Sequence, residues 1–207
     1  MERSLTRELS KKFLDELKNS GIDHEVETLD LLLDPPPFIN IDWISGAFSR
    51  EKLSPAQQAA LKKSDEYIEK LIWSDLIILG APMYNYGMPA VLKAWVDQVA
   101  RINRTFSFDL SRGDFPIRPI LGGKKLVLFT SSGEFGFEPG GIREQHGHLI
   151  PHIKSCCHYW GVDVPKDLYH IGIEYQEFKD QRHEKSKSRA FGSIKSLAEK
   201  LRATTVF

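Results

Sequence analysis

The chain has 207 residues, 41% apolar and 27% charged, which is the make-up of a globular protein able to bury a core without disulfides or metal. Lys+Arg and Asp+Glu balance at 28 each, so nothing in the overall charge attracts nucleic acid or an anionic membrane. Cys156 and Cys157 are the two cysteines, adjacent in sequence, and offer neither a disulfide framework nor a CxxC metal pair. They read as two buried small residues on a helix in a reducing cytoplasm.

The opening Met1-Glu-Arg-Ser has no apolar core of a signal peptide, and the most apolar stretch, near Leu76–Met83, is far shorter than a membrane helix requires. Leu5, Leu9, Phe13 and Leu17 recur every four residues and predict a helix that stops at Asn19-Ser20-Gly21. A short strand is expected from His24 to Leu32, with Val26 its clearest β-former. Asp34-Pro-Pro-Pro37 through Ser49 reads as loop. Its Phe38, Ile39, Trp43, Ile44 and Phe48 are too apolar for an inert linker and are expected to cover a core edge, a pocket or a partner subunit.

Ser54-Pro-Ala-Gln57 starts a helix, with Ser54 as cap, Pro55 at the first position and Gln57 completing a capping box. Leu76–Ala81 and Lys125–Ser131 are apolar runs of the kind found in buried parallel strands. Pro89 to Asn103, Gln145 to Tyr159 and His183 to Arg202 are expected to be helical, and Leu168 to Ile173 a strand. Alternating helices and strands predict a doubly wound α/β fold over residues 1–207 as a single domain. Ligands of such folds bind beyond the carboxyl ends of the strands, here the loops Pro82–Pro89 and Ser132–Gly141 and the start of the first helix. A doubly wound domain opens with a strand, and this chain opens with a helix, so an upstream strand and a truncated start at Met1 are expected.

Gly80-Ala-Pro-Met-Tyr-Asn-Tyr-Gly-Met-Pro89 leaves a buried strand and enters a helix, offering aromatic surface beside backbone amides. The run Ala81 to Asp97 resembles the flavin-binding loop and following helix of the FMN-dependent NADH-azoreductases and their NAD(P)H:quinone oxidoreductase relatives. Val99-Ala-Arg-Ile-Asn-Arg-Thr-Phe106, Ser54-Pro-Ala-Gln-Gln, Gly122-Gly-Lys-Lys and Thr130-Ser-Ser-Gly133 resemble that family as well. The resemblance implies a flavodoxin-like fold and a cytoplasmic FMN enzyme, typically a homodimer, that passes hydride from NADH or NADPH to a quinone or azo compound. It places the flavin ring at Pro82, Met83, Tyr84, Asn85 and Tyr86, its other edge at Ser131, Ser132, Gly133 and Glu134, and the phosphate at Ser4, Leu5 and Thr6.

Two departures stand out: the family's phosphate loop is preceded by a strand and an earlier serine, and Ser132 and Glu134 stand where relatives often carry glycine and a basic residue. No catalytic side chain is assigned. His148 and His152 share a helix face at a spacing that zinc uses, but no HExxH accompanies them, and with His146 they read as surface or interface histidines. The alternatives are a flavodoxin-like electron carrier, or a truncated chain that no longer binds FMN and is inactive.

Overall fold

The structure, a computed structural model, describes residues 4–21 and 24–204. Its elements are α1 (Leu5–Asn19), α2 (Ile41–Ala47), α3 (Pro55–Trp73), β1 (Leu76–Pro82), α4 (Ala90–Val99), β2 (Phe106–Phe108), β3 (Ile117–Pro119), β4 (Lys125–Ser131), α5 (Leu149–Trp160), β5 (Leu168–Ile173) and α6 (Gln181–Thr204). Strands β1, β4 and β5 form a parallel sheet in that order, and β2 and β3 form a separate antiparallel hairpin. The three parallel strands match positions 3-4-5 of the flavodoxin-like order 2-1-3-4-5.

Strand β4 is central because its alternating side chains feed two cores. Leu126 and Leu128 pack with Tyr67, Leu71, Leu92, Trp95, Ile153 and Trp160 from α3, α4 and α5. Val127 and Phe129 face the other way, into Leu9, Phe13, Ile194 and Leu201 of α1 and α6. Burying a side chain of this size is worth roughly 1.5–3 kcal/mol, so β4 locks both helical layers to one sheet. The α3 start forms as expected: the Ser54 hydroxyl accepts the Gln57 N–H at 3.2 Å and Gln57 Oε1 accepts the Ser54 N–H at 2.8 Å.

Two expectations need correction. Residues 24–30 form no strand, and 31–33 form a turn. Extended backbone becomes a strand only when it pairs with another strand, and no strand among the described residues pairs with this segment. Ion pairs Arg7–Asp30 (2.7 Å) and Lys70–Glu27 tie it to α1 and α3 instead. The stretch after the three prolines, expected as loop throughout, contains α2. Asn40 starts that helix by accepting the Trp43 N–H at 2.9 Å, and Trp43 anchors it by donating from Nε1 to Gln98 Oε1 at 2.8 Å. The second correction follows because an Asn cap and one buried tryptophan outweigh the proline-rich run before them.

Helix α5 begins at Leu149, not Gln145, because Glu144–His146 wind as a 3₁₀ turn first. Cys156 and Cys157 are both free and buried on α5, and burial pushes the Cys157 thiol up to about 12, which keeps it protonated and inert. No helix among the described residues is long and apolar enough to cross a membrane.

Candidate functional site

The carboxyl ends of β1 and β4 are joined at their last residues, where the Met83 N–H donates to the Ser131 carbonyl at 2.8 Å. From Met83 the chain makes a two-residue hairpin. Tyr84 and Gly87 exchange N–H···O bonds of 3.1 and 3.0 Å, and the residues between them, Asn85 and Tyr86, lie at φ of +46° and +67°. This is the twist-matched hairpin turn that normally demands Asn-Gly. A bulky residue at positive φ costs roughly 1–2 kcal/mol, so the tyrosine at the second position is held there by its surroundings. Its carbonyl accepts the His148 N–H at 3.0 Å, and its ring lies 5.4 Å from that of His146 and 6.1 Å from that of Phe137. The hairpin leaves the N–H groups of Asn85 and Tyr86 without an acceptor among the described residues, and Tyr84 and Tyr86 are 54% and 44% exposed.

The loop after β4 faces the same end. Ser131 and Ser132 are buried, and Gly133 and Glu134 are half-buried. A second segment grips this loop from behind: the N–H groups of Gln176, Glu177 and Tyr175 donate to the carbonyls of Ser132, Gly133 and Glu134 at 3.2, 3.1 and 3.3 Å. With the carbonyls engaged there, the Gly133 and Glu134 N–H groups have no acceptor among the described residues.

The start of α1 lies at this end too. A Cβ built on Gly80 of β1 would sit 3.4 Å from Thr6 Cβ and 3.4 Å from Ser10 Oγ, so α1 packs over the carboxyl-terminal half of β1. Ser4 caps the helix, accepting the Arg7 N–H at a long 3.4 Å, and its hydroxyl lies 3.4 Å from that of Thr6. Thr6 is only 3% exposed. Two hydroxyls with the first helical N–H groups make a donor set suited to phosphate.

All twelve residues singled out in the sequence therefore come to one end of the sheet, in three groups: Ser4, Leu5 and Thr6; Pro82 to Tyr86; and Ser131 to Glu134. The donor set also fits FMN: a phosphate-type helix start, exposed aromatic faces, and unused N–H groups suited to the carbonyl-rich edge of a flavin. Sequence reasoning missed Phe137, Tyr175 and Arg143. Phe137 and Tyr175 sit in stretches with no periodicity, and Arg143 matters only through Glu134, nine residues earlier. His146 was noted, but its contact with Tyr86 had no sequence signal. His148 occupies the N-cap position of α5 without a side-chain capping bond, one turn before His152. Among the described residues no group of three His, Cys, Asp or Glu side chains stands close enough to hold a metal.

A family described by its flavodoxin-like fold matches residues 1–191. An FMN-dependent NADH:quinone oxidoreductase 2 of Colwellia psychrerythraea is 50% identical over 199 residues, covering 96% of this chain and 90% of that one. A protein of the same name from Idiomarina loihiensis is 47% identical over 203 residues, covering 98% and 83%. Among solved structures, the azoreductase of Bacillus anthracis str. Sterne superposes with a TM-score of 0.83 at 22% identity, covering 96% of this chain and 93% of that one. With a parallel sheet, a shared end for its three loops and relatives this similar over nearly its whole length, the chain belongs to the flavodoxin-like family of the FMN-dependent NADH:quinone oxidoreductases.

Proposed function

We infer that this chain is an FMN-dependent oxidoreductase that takes hydride from NADH or NADPH and passes the electrons to a quinone or an azo compound. The observation that carries this is the pairing, at one end of the sheet, of the exposed Tyr84 and Tyr86 rings with the unused N–H groups of Gly133 and Glu134. Bound FMN supplies the two-electron chemistry itself. The protein's part is to bind and orient. Ser4, Leu5 and Thr6 hold the phosphate through two hydroxyls and free helical N–H groups. Met83, Tyr84 and Tyr86 pack against the ring system. The N–H groups of Asn85, Tyr86, Gly133 and Glu134 satisfy its polar edges.

Phe137 and His146, beside Tyr86, form an aromatic wall suited to a flat acceptor. No side chain is assigned as proton donor. The electron-carrier reading loses ground because the relatives are named as reductases, which act on their own substrates.

The working form is a homodimer in a reducing cytoplasm. Supporting the dimer, Ile41 at the start of α2 and Phe38 just before it are 77% and 78% exposed, with Phe48 exposed at the helix end. Supporting the compartment, both cysteines are unpaired.

The test is FMN titration of the purified chain and of Thr6→Val, followed by desalting and a visible spectrum. Wild type should keep its flavin, and the valine variant should bind it about ten-fold more weakly, as expected for one lost hydrogen bond to a charged phosphate. Its unfolding midpoint should hold. A wild-type chain that elutes colourless contradicts the reading.

A further inference from the structure

Glu134 is an acidic residue beside N–H groups assigned above to the flavin's polar edge, and two further carboxylates touch the same loop at Gly133 and Gly136. The Glu177 side chain packs so closely on Gly133 that a Cβ there would overlap it. Glu174 Oε1 accepts the Gly136 N–H at 3.0 Å, and burial pushes its carboxyl above the usual range. Reducing a flavin adds negative charge, so unanswered carboxylates here would oppose reduction.

The group that answers Glu134 is Arg143. Its Nε lies 3.0 Å from Glu134 Oε1, its Nη1 donates to the Phe135 carbonyl at 3.3 Å, and its guanidinium carbon sits 4.6 Å from the centre of the Phe135 ring. The Arg143 N–H in turn donates to the Gly136 carbonyl at 2.8 Å, closing a loop in which a Cβ on Gly141 would collide with that same carbonyl. Phe135 is itself fixed, stacked on Tyr175 at 4.3 Å and 18°. The other nearby guanidinium, Arg182, lies 5.5 Å from the Phe135 ring but is paired with Asp180 at 2.7 Å.

Arg143 and Glu134 are 26% and 35% exposed, and an ion pair this wet adds little stability. So much geometry spent on orienting one guanidinium points to an electrostatic role.

We propose that Arg143 is a positioning residue that sets the reduction potential of the bound flavin, cancelling Glu134 and favouring the negative charge that reduction adds. The proposal rests on the FMN reading above. Charges a few ångströms apart at a partly wet surface interact through an effective dielectric near 20, enough for one uncompensated charge to move a potential measurably. Removing Arg143 leaves Glu134 unanswered and makes reduction harder. Removing Glu134 leaves Arg143 unanswered and makes it easier. Removing both returns the local charge to its starting value.

The experiment compares wild type with Arg143→Gln, Glu134→Gln and the double variant, each loaded with FMN. The midpoint potential is read by anaerobic reductive titration against a redox dye at low salt. Bound flavin is read from the visible spectrum, and folding from the unfolding midpoint. Arg143→Gln should shift the potential negative, Glu134→Gln positive, and the double variant should lie near wild type, with the single shifts shrinking as salt is raised.

Single variants that keep flavin and fold, yet show no shift or shifts of the same sign, overturn the proposal and leave FMN binding standing. If Arg143→Gln does not fold, Glu134→Gln and Arg143→Lys decide: the first must still move positive and the second must stay near wild type. A wild-type chain that retains no flavin overturns the FMN reading, and this proposal with it.

Discussion

Tyr86 occupies a backbone conformation that its side chain disfavours, with φ at +67°, and Asn85 beside it lies at +46°. Asparagine tolerates that region and tyrosine does not, so the strain at Tyr86 is borne by the hairpin bonds and by the rings of His146 and Phe137. Strain of this kind after a strand end is what the proposed flavin loop requires if Tyr86 is to face the ring. Asn85→Val places a β-branched residue in a region that asparagine tolerates and valine does not, and it should lower stability by about 1–2 kcal/mol while weakening FMN binding. Thermal unfolding and flavin titration check this together. A valine variant with unchanged flavin affinity would show that the hairpin path is not part of the site.

At the level of elements, the sequence announced most of the frame. The four-residue apolar spacing of α1, the capping box of α3 and the short apolar runs of β1 and β4 each state a local preference that the packing then uses. Where a preference depended on a distant partner, it failed. The expected strand at His24–Leu32 needs a neighbour to bond with, and α2 needs Gln98, far along the chain, to seat Trp43. The placement of the candidate site was legible for the same reason as the frame: its loops sit at strand ends, which periodicity locates. The contacts that shape it, from Phe137, Tyr175 and Arg143, come from tertiary folding and left no local pattern.

Element geometry bears on the proposed dimer. Helix α2 buries Trp43 inward, bonded to Gln98, and leaves Ile41 outward between the exposed flanking Phe38 and Phe48, and the segment joining β2 to β3 exposes Leu110 and Phe115. Covering such a face is worth about 25 cal/mol per Å² of apolar area. Ile41→Asp should shift the protein from dimer to monomer in analytical ultracentrifugation without unfolding it, since the residue touches water and not the core. A wild-type monomer at micromolar concentration would contradict this.

For the whole molecule, pH acts through groups whose proton affinity folding changes. The His170 ring lies against the sheet, over Gly172, with Nε2 2.8 Å from Thr130 Oγ1, and although part of the residue faces solvent its imidazole is pulled down to about 4 from an ordinary 6.5. Desolvation is the main cause, and the Lys154 charge adds to it. The folded chain thus binds fewer protons than the unfolded chain between those values, so stability present at pH 7 is lost as pH falls from 6.5 towards 4. His158, lowered by burial, acts in the same sense, and Glu174, raised by burial, opposes it near the bottom of that range. The unfolding midpoint should therefore drop from pH 7 to pH 5, and His170→Gln should flatten the drop. An equally steep drop in the variant would remove His170 from the account.

A flavin bound at the end of this sheet would take hydride from a nicotinamide and hand the electrons to a quinone. Anaerobic stopped-flow absorption of the FMN-loaded chain, mixed first with NADH or NADPH and then with a quinone, tests this directly. The visible flavin band should bleach in the first mix and return in the second, with repeated turnover when both substrates are in excess. A bound flavin that neither nicotinamide bleaches would contradict it.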